Sequence, residues 1–310
     1  MEILKGLCRR AGAILIAFML CLICFQQSVC AADKQEEGSL TIHFSAVRGV
    51  EFRVYHVGEI TEDWEFVLTG EFRDIPAEMN DLDTEEMTAL AETLAAYADA
   101  DGITADYSGI TDENGEITFD NLPKGLYLVT GESKISDEVC YTPVPFLITV
   151  PSQDAEGSWI YETSADVKYE TSVPSEEEIE YCVLKYWSGD GDGQVRPAQI
   201  TVDIMKNGEL YETQILSEAN NWTYQWTAAD DGSRWTVVER EIPEQYTVQT
   251  EHIGTVFRLT NTYTGEEEGA SPSTGDTTVP MSLVMLLSAS GIIMILAGLG
   301  VKGRKENKDV

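Results

Sequence analysis

Val183-Leu184-Lys185-Tyr186-Trp187, Trp235-Thr236-Val237-Val238-Glu239 and Thr260-Asn261-Thr262-Tyr263 frame the last folded part of this chain. Each is rich in the β-branched and aromatic residues that suit a pleated, half-buried surface. Around them, further runs at 200–206, 211–216, 222–227, 246–250 and 256–263 are separated by short turn-rich spacers. Seven short strands with frequent turns inside 181–264 predict an antiparallel two-sheet sandwich.

Upstream the pattern is again mostly β. Leu40-Thr41-Ile42-His43-Phe44 and Phe52-Arg53-Val54-Tyr55-His56-Val57 read as strands, and turn signals at Asn114-Gly115 and Pro123-Lys124-Gly125 bracket another at 116–119 and precede one at 126–130. One helix interrupts the strands. Asp83 with Glu86 makes a capping box, after which Met87, Leu90, Ala91, Leu94 and Ala98 recur at helical spacing. This predicts a helix packed by one face on a sheet. The acidic stretch 169–180, with Pro174 and Ser175-Glu176-Glu177-Glu178, reads as the linker between a first domain (33–168) and a second (181–264).

Both ends carry processing signals. Lys5, Arg9 and Arg10, the uncharged run 11–25 and the small residues near Cys30-Ala31-Ala32 describe a secretory signal peptide over 1–32. Residues 281–301 hold no charge and suffice to span a bilayer as a helix. Lys302, Arg304 and Lys305 follow, which places the tail 302–310 in the cytoplasm.

The 310-residue chain has a formal charge of −34, which repels phosphate backbones and anionic lipid and excludes nucleic acid as a partner. Its 43% hydrophobic content argues against wholesale disorder. Three scattered histidines at 43, 56 and 252 supply no catalytic constellation, so no enzyme and no cofactor are expected. The run Ser188-Gly189-Asp190-Gly191-Asp192-Gly193 lacks the spacing and terminal Glu of an EF-hand and reads as a turn, with no metal site. Four of six cysteines fall in the signal peptide; Cys140 and Cys182 fit either one bridge or two separate thiols.

Ser271-Pro272-Ser273-Thr274-Gly275, an apolar span and a basic tail occur in that order. This resembles the sorting signal of LPXTG-anchored surface proteins of Gram-positive bacteria, with Ser271 in place of Leu, over a sorting stretch at 265–280. The resemblance implies cleavage by a sortase between Thr274 and Gly275, and transfer of the Thr274 acyl group to peptidoglycan or to another pilin subunit.

The segments quoted at the outset, with Arg196-Pro197 and Ser217-Glu218-Ala219-Asn220-Asn221-Trp222-Thr223-Tyr224, resemble a Cna B-type domain, an immunoglobulin-like sandwich whose members commonly form an intramolecular isopeptide bond. By motif position the resemblance implies Lys185 and Asn261 as the bonded pair and Glu239 as the assisting acid. Burial among Trp and Tyr disfavours the lysine cation, and the neutral amine is a nucleophile. Burial likewise favours a protonated carboxyl group, which can polarise the amide and shuttle a proton. Lys185 and Asn261 lie 76 positions apart. Closing such a loop contributes about 4.5 kcal/mol in the chain-entropy account. Tension entering one terminal strand would also pass through the bond to the other.

Gly49-Val50-Glu51-Phe52-Arg53-Val54-Tyr55-His56-Val57-Gly58, Ala95-Ala96-Tyr97-Ala98, Gly125-Leu126-Tyr127-Leu128-Val129 and Pro145-Phe146-Leu147-Ile148-Thr149-Val150-Pro151 resemble the N-terminal domain of backbone pilins. This implies a related sandwich with a helical insertion, so the whole is expected to be all-β with two tandem sandwiches. The first strand offers His43 and no lysine, and Gly131 stands where an acid is expected; no isopeptide bond is expected there. Trp159 and Lys168 keep the nine-residue spacing of the pilus-linking lysine pattern, although its Val, Tyr and Pro positions are changed. The resemblance therefore implies a sortase-processed, wall-anchored structural pilin subunit linked through Lys168. A non-polymerising adhesin for a host protein or glycan is the alternative.

Overall fold

The structure is a computed structural model that describes residues 37–61, 65–153, 158–191 and 196–265. The expected signal peptide (1–32), the sorting stretch from residue 266 with Thr274 and Gly275, the membrane segment 281–301 and the tail 302–310 lie outside the described residues.

In chain order the first domain holds β1 (Gly38–His43), β2 (Glu51–Ile60), β3 (Phe66–Leu68), α1 (Thr84–Asp101), β4 (Tyr107–Ile110), β5 (Glu116–Leu122), β6 (Gly125–Gly131), β7 (Lys134–Ser136), β8 (Val139–Pro143), β9 (Phe146–Val150), β10 (Ser152–Gln153), β11 (Trp159–Ile160), β12 (Glu162–Asp166) and β13 (Tyr169–Ser172). The second holds β14 (Glu178–Ser188), β15 (Gln199–Lys206), β16 (Glu209–Ser217), β17 (Thr223–Ala229), β18 (Trp235–Arg240), β19 (Tyr246–Ile253) and β20 (Val256–Tyr263). All seven strands read from the sequence of the second domain are present. The stretch read as a linker is partly strand, because β13 pairs antiparallel with β8 and leaves 173–177 as the connection.

In the first domain the sheet β12-β1-β5 faces the sheet β3-β2-β6-β9, to which β4 adds through β2. Leu40, Ile42, Phe52, Val54, Phe119, Tyr127 and Val129 fill the space between. Every residue of β6 is buried, since Leu126 and Leu128 on its other face meet α1. A sheet covered on both faces gives the continuous apolar run seen there.

The helix starts where the sequence placed it. The Asp83 side chain accepts from the N–H groups of Glu85 and Glu86, and Glu86 reaches back to the Asp83 N–H. Gly102, in the left-handed region at φ 64°, ends it. Its packing departs from the expectation of one buried face. Leu90, Ala91, Leu94, Ala95 and Ala98 share a cluster with Tyr55 and Val57 of the first domain, and Val238 and Val248 of the second domain join the same cluster. The helix is therefore gripped on two sides, and residues 37–265 belong to one compact unit.

The second domain pairs the sheet β17-β14-β20-β19 with β16-β15-β18 around Tyr181, Val183, Trp187, Ile204, Trp226, Trp235, Phe257 and Leu259. Its first and last strands, β14 and β20, are parallel neighbours.

Candidate functional site

Alternation along β14 sends Tyr181, Val183, Lys185 and Trp187 inward while Leu184 and Tyr186 face out. On β20 the inward set is Phe257, Leu259 and Asn261. The parallel register sets Lys185 beside Leu259 and Trp187 beside Asn261, so Lys185 and Asn261 project from the same face, two register positions apart. Trp235, Val237 and Glu239 of β18 point inward from the opposite sheet. Two strands of one sheet thus supply the amine and the amide, and the other sheet supplies the acid.

The three side chains meet. Lys185 Nζ lies 2.9 Å from Glu239 Oε2, with both side chains fully buried. Asn261 Nδ2 donates to Glu239 Oε1 at 2.8 Å, and Asn261 is itself without exposure. Asn261 Oδ1 has no hydrogen-bond partner among the described residues. The Lys185 ammonium also sits 4.6 Å from the ring centre of Trp187, which packs edge-on against Trp222 and Tyr246.

Burial pushes the Lys185 pKa down to about 8, against an opposing pull from the neighbouring Glu239 carboxylate. A buried ion pair of this kind is weak as a source of stability, because desolvation offsets most of the attraction. It is better suited to chemistry. Handing the proton from Lys185 to Glu239 gives a neutral amine and a carboxylic acid beside an amide carbonyl that has a free acceptor.

The remaining candidates are dispersed. Lys168 is exposed in the turn between β12 and β13, and its carbonyl accepts from the Val144 N–H at 2.9 Å. Trp159, on β11, pairs with Gln153. Cys140 and Cys182 are both free thiols: Cys140 is buried beside Gly232 and Cys182 sits on the outward side of β14, which settles the open alternative. Asp190 of the acidic turn accepts from Arg196 Nη2 at 2.7 Å and from the Tyr246 hydroxyl at 3.1 Å. In the first domain His43 Nδ1 pairs with Glu116 across the β1–β5 ladder at 3.0 Å. A Cβ on Gly131 would come within 2.7 Å of the Phe52 ring, so no acid fits there.

One neighbour of the site was not anticipated. The Tyr97 hydroxyl of α1 donates to the Glu239 backbone carbonyl at 2.8 Å. No pattern in the sequence ties residue 97 to residue 239, because the contact crosses from one domain to the other.

Comparison with known proteins places these domains. Residues 181–262 match the family described as Cna protein B-type domain, and residues 23–167 match Gram-positive pilin subunit D1, N-terminal domain. The chain is 33% identical over 99 residues to the collagen adhesin of Staphylococcus aureus, a match covering 29% of this chain and 8% of that protein. Among solved structures, a single B repeat unit of the collagen binding surface protein of Staphylococcus aureus is 20% identical, with 74% of this chain and 98% of that chain covered and a TM-score of 0.26. The Corynebacterium diphtheriae major pilin SpaA is 16% identical, with 77% and 65% covered and a TM-score of 0.29. The chain carries, in tandem, a domain matching the Gram-positive pilin D1 family and a domain matching the Cna B-type family.

Proposed function

We propose that the protein is a wall-anchored structural pilin subunit whose second domain seals itself with an amide bond between Lys185 and Asn261. The observation that carries this reading is the fully buried contact of Lys185 with Glu239, which also holds the Asn261 amide. After proton transfer to Glu239, the neutral Nζ attacks Cγ of Asn261. Glu239 then gives its proton to Nδ2 and takes one from the attacking nitrogen. The Cγ–Nδ2 bond breaks, ammonia leaves, and the Nζ–Cγ amide remains with Glu239 again a carboxylic acid. The event occurs once per molecule and is maturation rather than turnover.

The two family matches support the structural role, and the sequence signals at the termini support export and anchoring by a sortase, with Thr274 as the acyl donor. Lys168 is exposed and available as the acceptor amine for a neighbouring subunit. The second reading is a non-polymerising adhesin. It is favoured by a cleft of about 350 Å³ where α1 meets the second domain, lined by Glu92, Glu170, Arg234, Trp235 and His252.

Intact mass tests the bond. The exported fragment should weigh one ammonia less than its sequence, and Lys185→Ala or Glu239→Ala should restore the full mass. An unmodified wild-type mass overturns the bond. Wall digests separate the two readings: high-mass ladders lost on Lys168→Ala support the pilin, and one discrete anchored species supports the adhesin.

A further inference from the structure

β18 and β19 are edge strands of the two sheets of the second domain, and they flank the side of the sandwich where Glu239 and Asn261 lie. An exposed edge leaves a row of unpaired backbone groups and an entry for water. Here the first domain supplies the covering. The Val248 N–H donates to the Pro76 carbonyl at 2.7 Å, the Thr250 N–H to Thr93 Oγ1 at 2.8 Å and the His252 N–H to Glu92 Oε2 at 2.8 Å. Three alternate N–H groups of one edge strand are thus satisfied by the segment preceding α1 and by α1 itself. On the other edge, Tyr97 binds the Glu239 carbonyl and the Arg240 guanidinium pairs with Asp101 at 2.6 Å.

The register ties these contacts to the reacting groups. Val248 stands opposite Asn261, and Thr250 stands opposite Leu259, which is beside Lys185. Val248 is 3% exposed within the cluster formed by α1. Removing the helix would uncover the ends of both rows.

We propose that α1 of the first domain is the closing wall of the bond-forming chamber in the second, with Tyr97 as a positioning residue that fixes the β18 backbone at Glu239. This rests on the amide-bond reading above. Its consequence is that the bond forms efficiently only after the two domains have docked, so that cross-linking seals a correctly assembled pair. Among the described residues, Glu239 is the ionisable group facing Lys185, and Glu239 in turn is faced by Tyr97, whose hydroxyl burial pushes well above the usual phenol range.

The test uses the exported chain, freshly translated without cells and followed by intact mass across a pH series. Tyr97→Phe removes only the hydroxyl, and Thr93→Val removes the acceptor for the Thr250 N–H together with the hydroxyl's own bond to the Ala89 carbonyl within the helix. Losing one such hydrogen bond is expected to slow ammonia release ~10-fold. Water entering the chamber should also move the inflection of the pH–rate profile set by Lys185 upward, toward the ordinary lysine value. A protein weakened only in overall stability would keep its inflection. If the wild type releases ammonia and both variants match its rate and inflection, the wall is refuted while the bond stands. If the wild type releases none, the bond itself is refuted. Should Tyr97→Phe fail to fold, Thr93→Val decides alone.

Discussion

Glu92 shows how much a single buried carboxyl can govern at a domain junction. Burial, reinforced by Glu170 and Glu251 and opposed by the His252 N–H bond, raises its pKa to about 7. Both folded and unfolded chains hold its proton below about 4.5, so it costs nothing there. As pH rises from 4.5 to 7 the unfolded chain releases a proton that the folded chain keeps, and stability falls; above 7 the deficit is constant. Glu92→Gln keeps an acceptor for His252. It should therefore stabilise the protein by about 1–2 kcal/mol above pH 7, after allowance for solvent screening, with no gain below pH 4.5. Denaturant unfolding at the two extremes of pH measures this. Residue by residue, Lys185, Glu239 and Asn261 were legible through the resemblance to a Cna B-type domain, and the period of two along β14, β18 and β20 accounts for their shared inward face. Glu92 and Tyr97 were not, since a carboxylate and a phenol on a helix read as its solvent side unless the partner strand is known.

At the scale of elements, the strands and the helix start were readable from alternation, turn residues and the Asp83–Glu86 box. The two-sided burial of α1 was not. Leu90, Leu94 and Ala98 announce one apolar face, whereas Glu92, Thr93 and Tyr97 meet the second domain chiefly through hydrogen bonds that hydropathy does not register. The alanines along the helix allow close approach on either side. Asp83→Ala removes both capping acceptor bonds and should cost about 1 kcal/mol in global unfolding, read from a shifted denaturant midpoint at constant slope. The strand β13 was hidden for a different reason. Tyr169-Glu170-Thr171-Ser172 is exposed along most of its length, so pairing with β8 leaves no apolar alternation behind.

At the scale of the whole molecule, the first and last strands of the second domain run parallel and adjacent, and the proposed cross-link joins them near their ends. Force arriving through β14 would leave through β20 without loading β15 to β19. Asn261→Ala keeps the Lys185–Glu239 pair and removes the bond, so it should lower stability by about 4.5 kcal/mol through chain entropy alone, measured by unfolding against the wild type. The docked helix extends the same logic to the first domain, whose own sandwich core buries no lysine among the described residues.

Digestion of the native exported protein and sequencing of its peptides by mass spectrometry reads out the covalent link. The expected product is one branched peptide in which the Lys185 side chain is joined to that of Asn261, at the combined mass of the two peptides less ammonia. Recovery of separate linear peptides carrying unmodified Lys185 and Asn261 would contradict it.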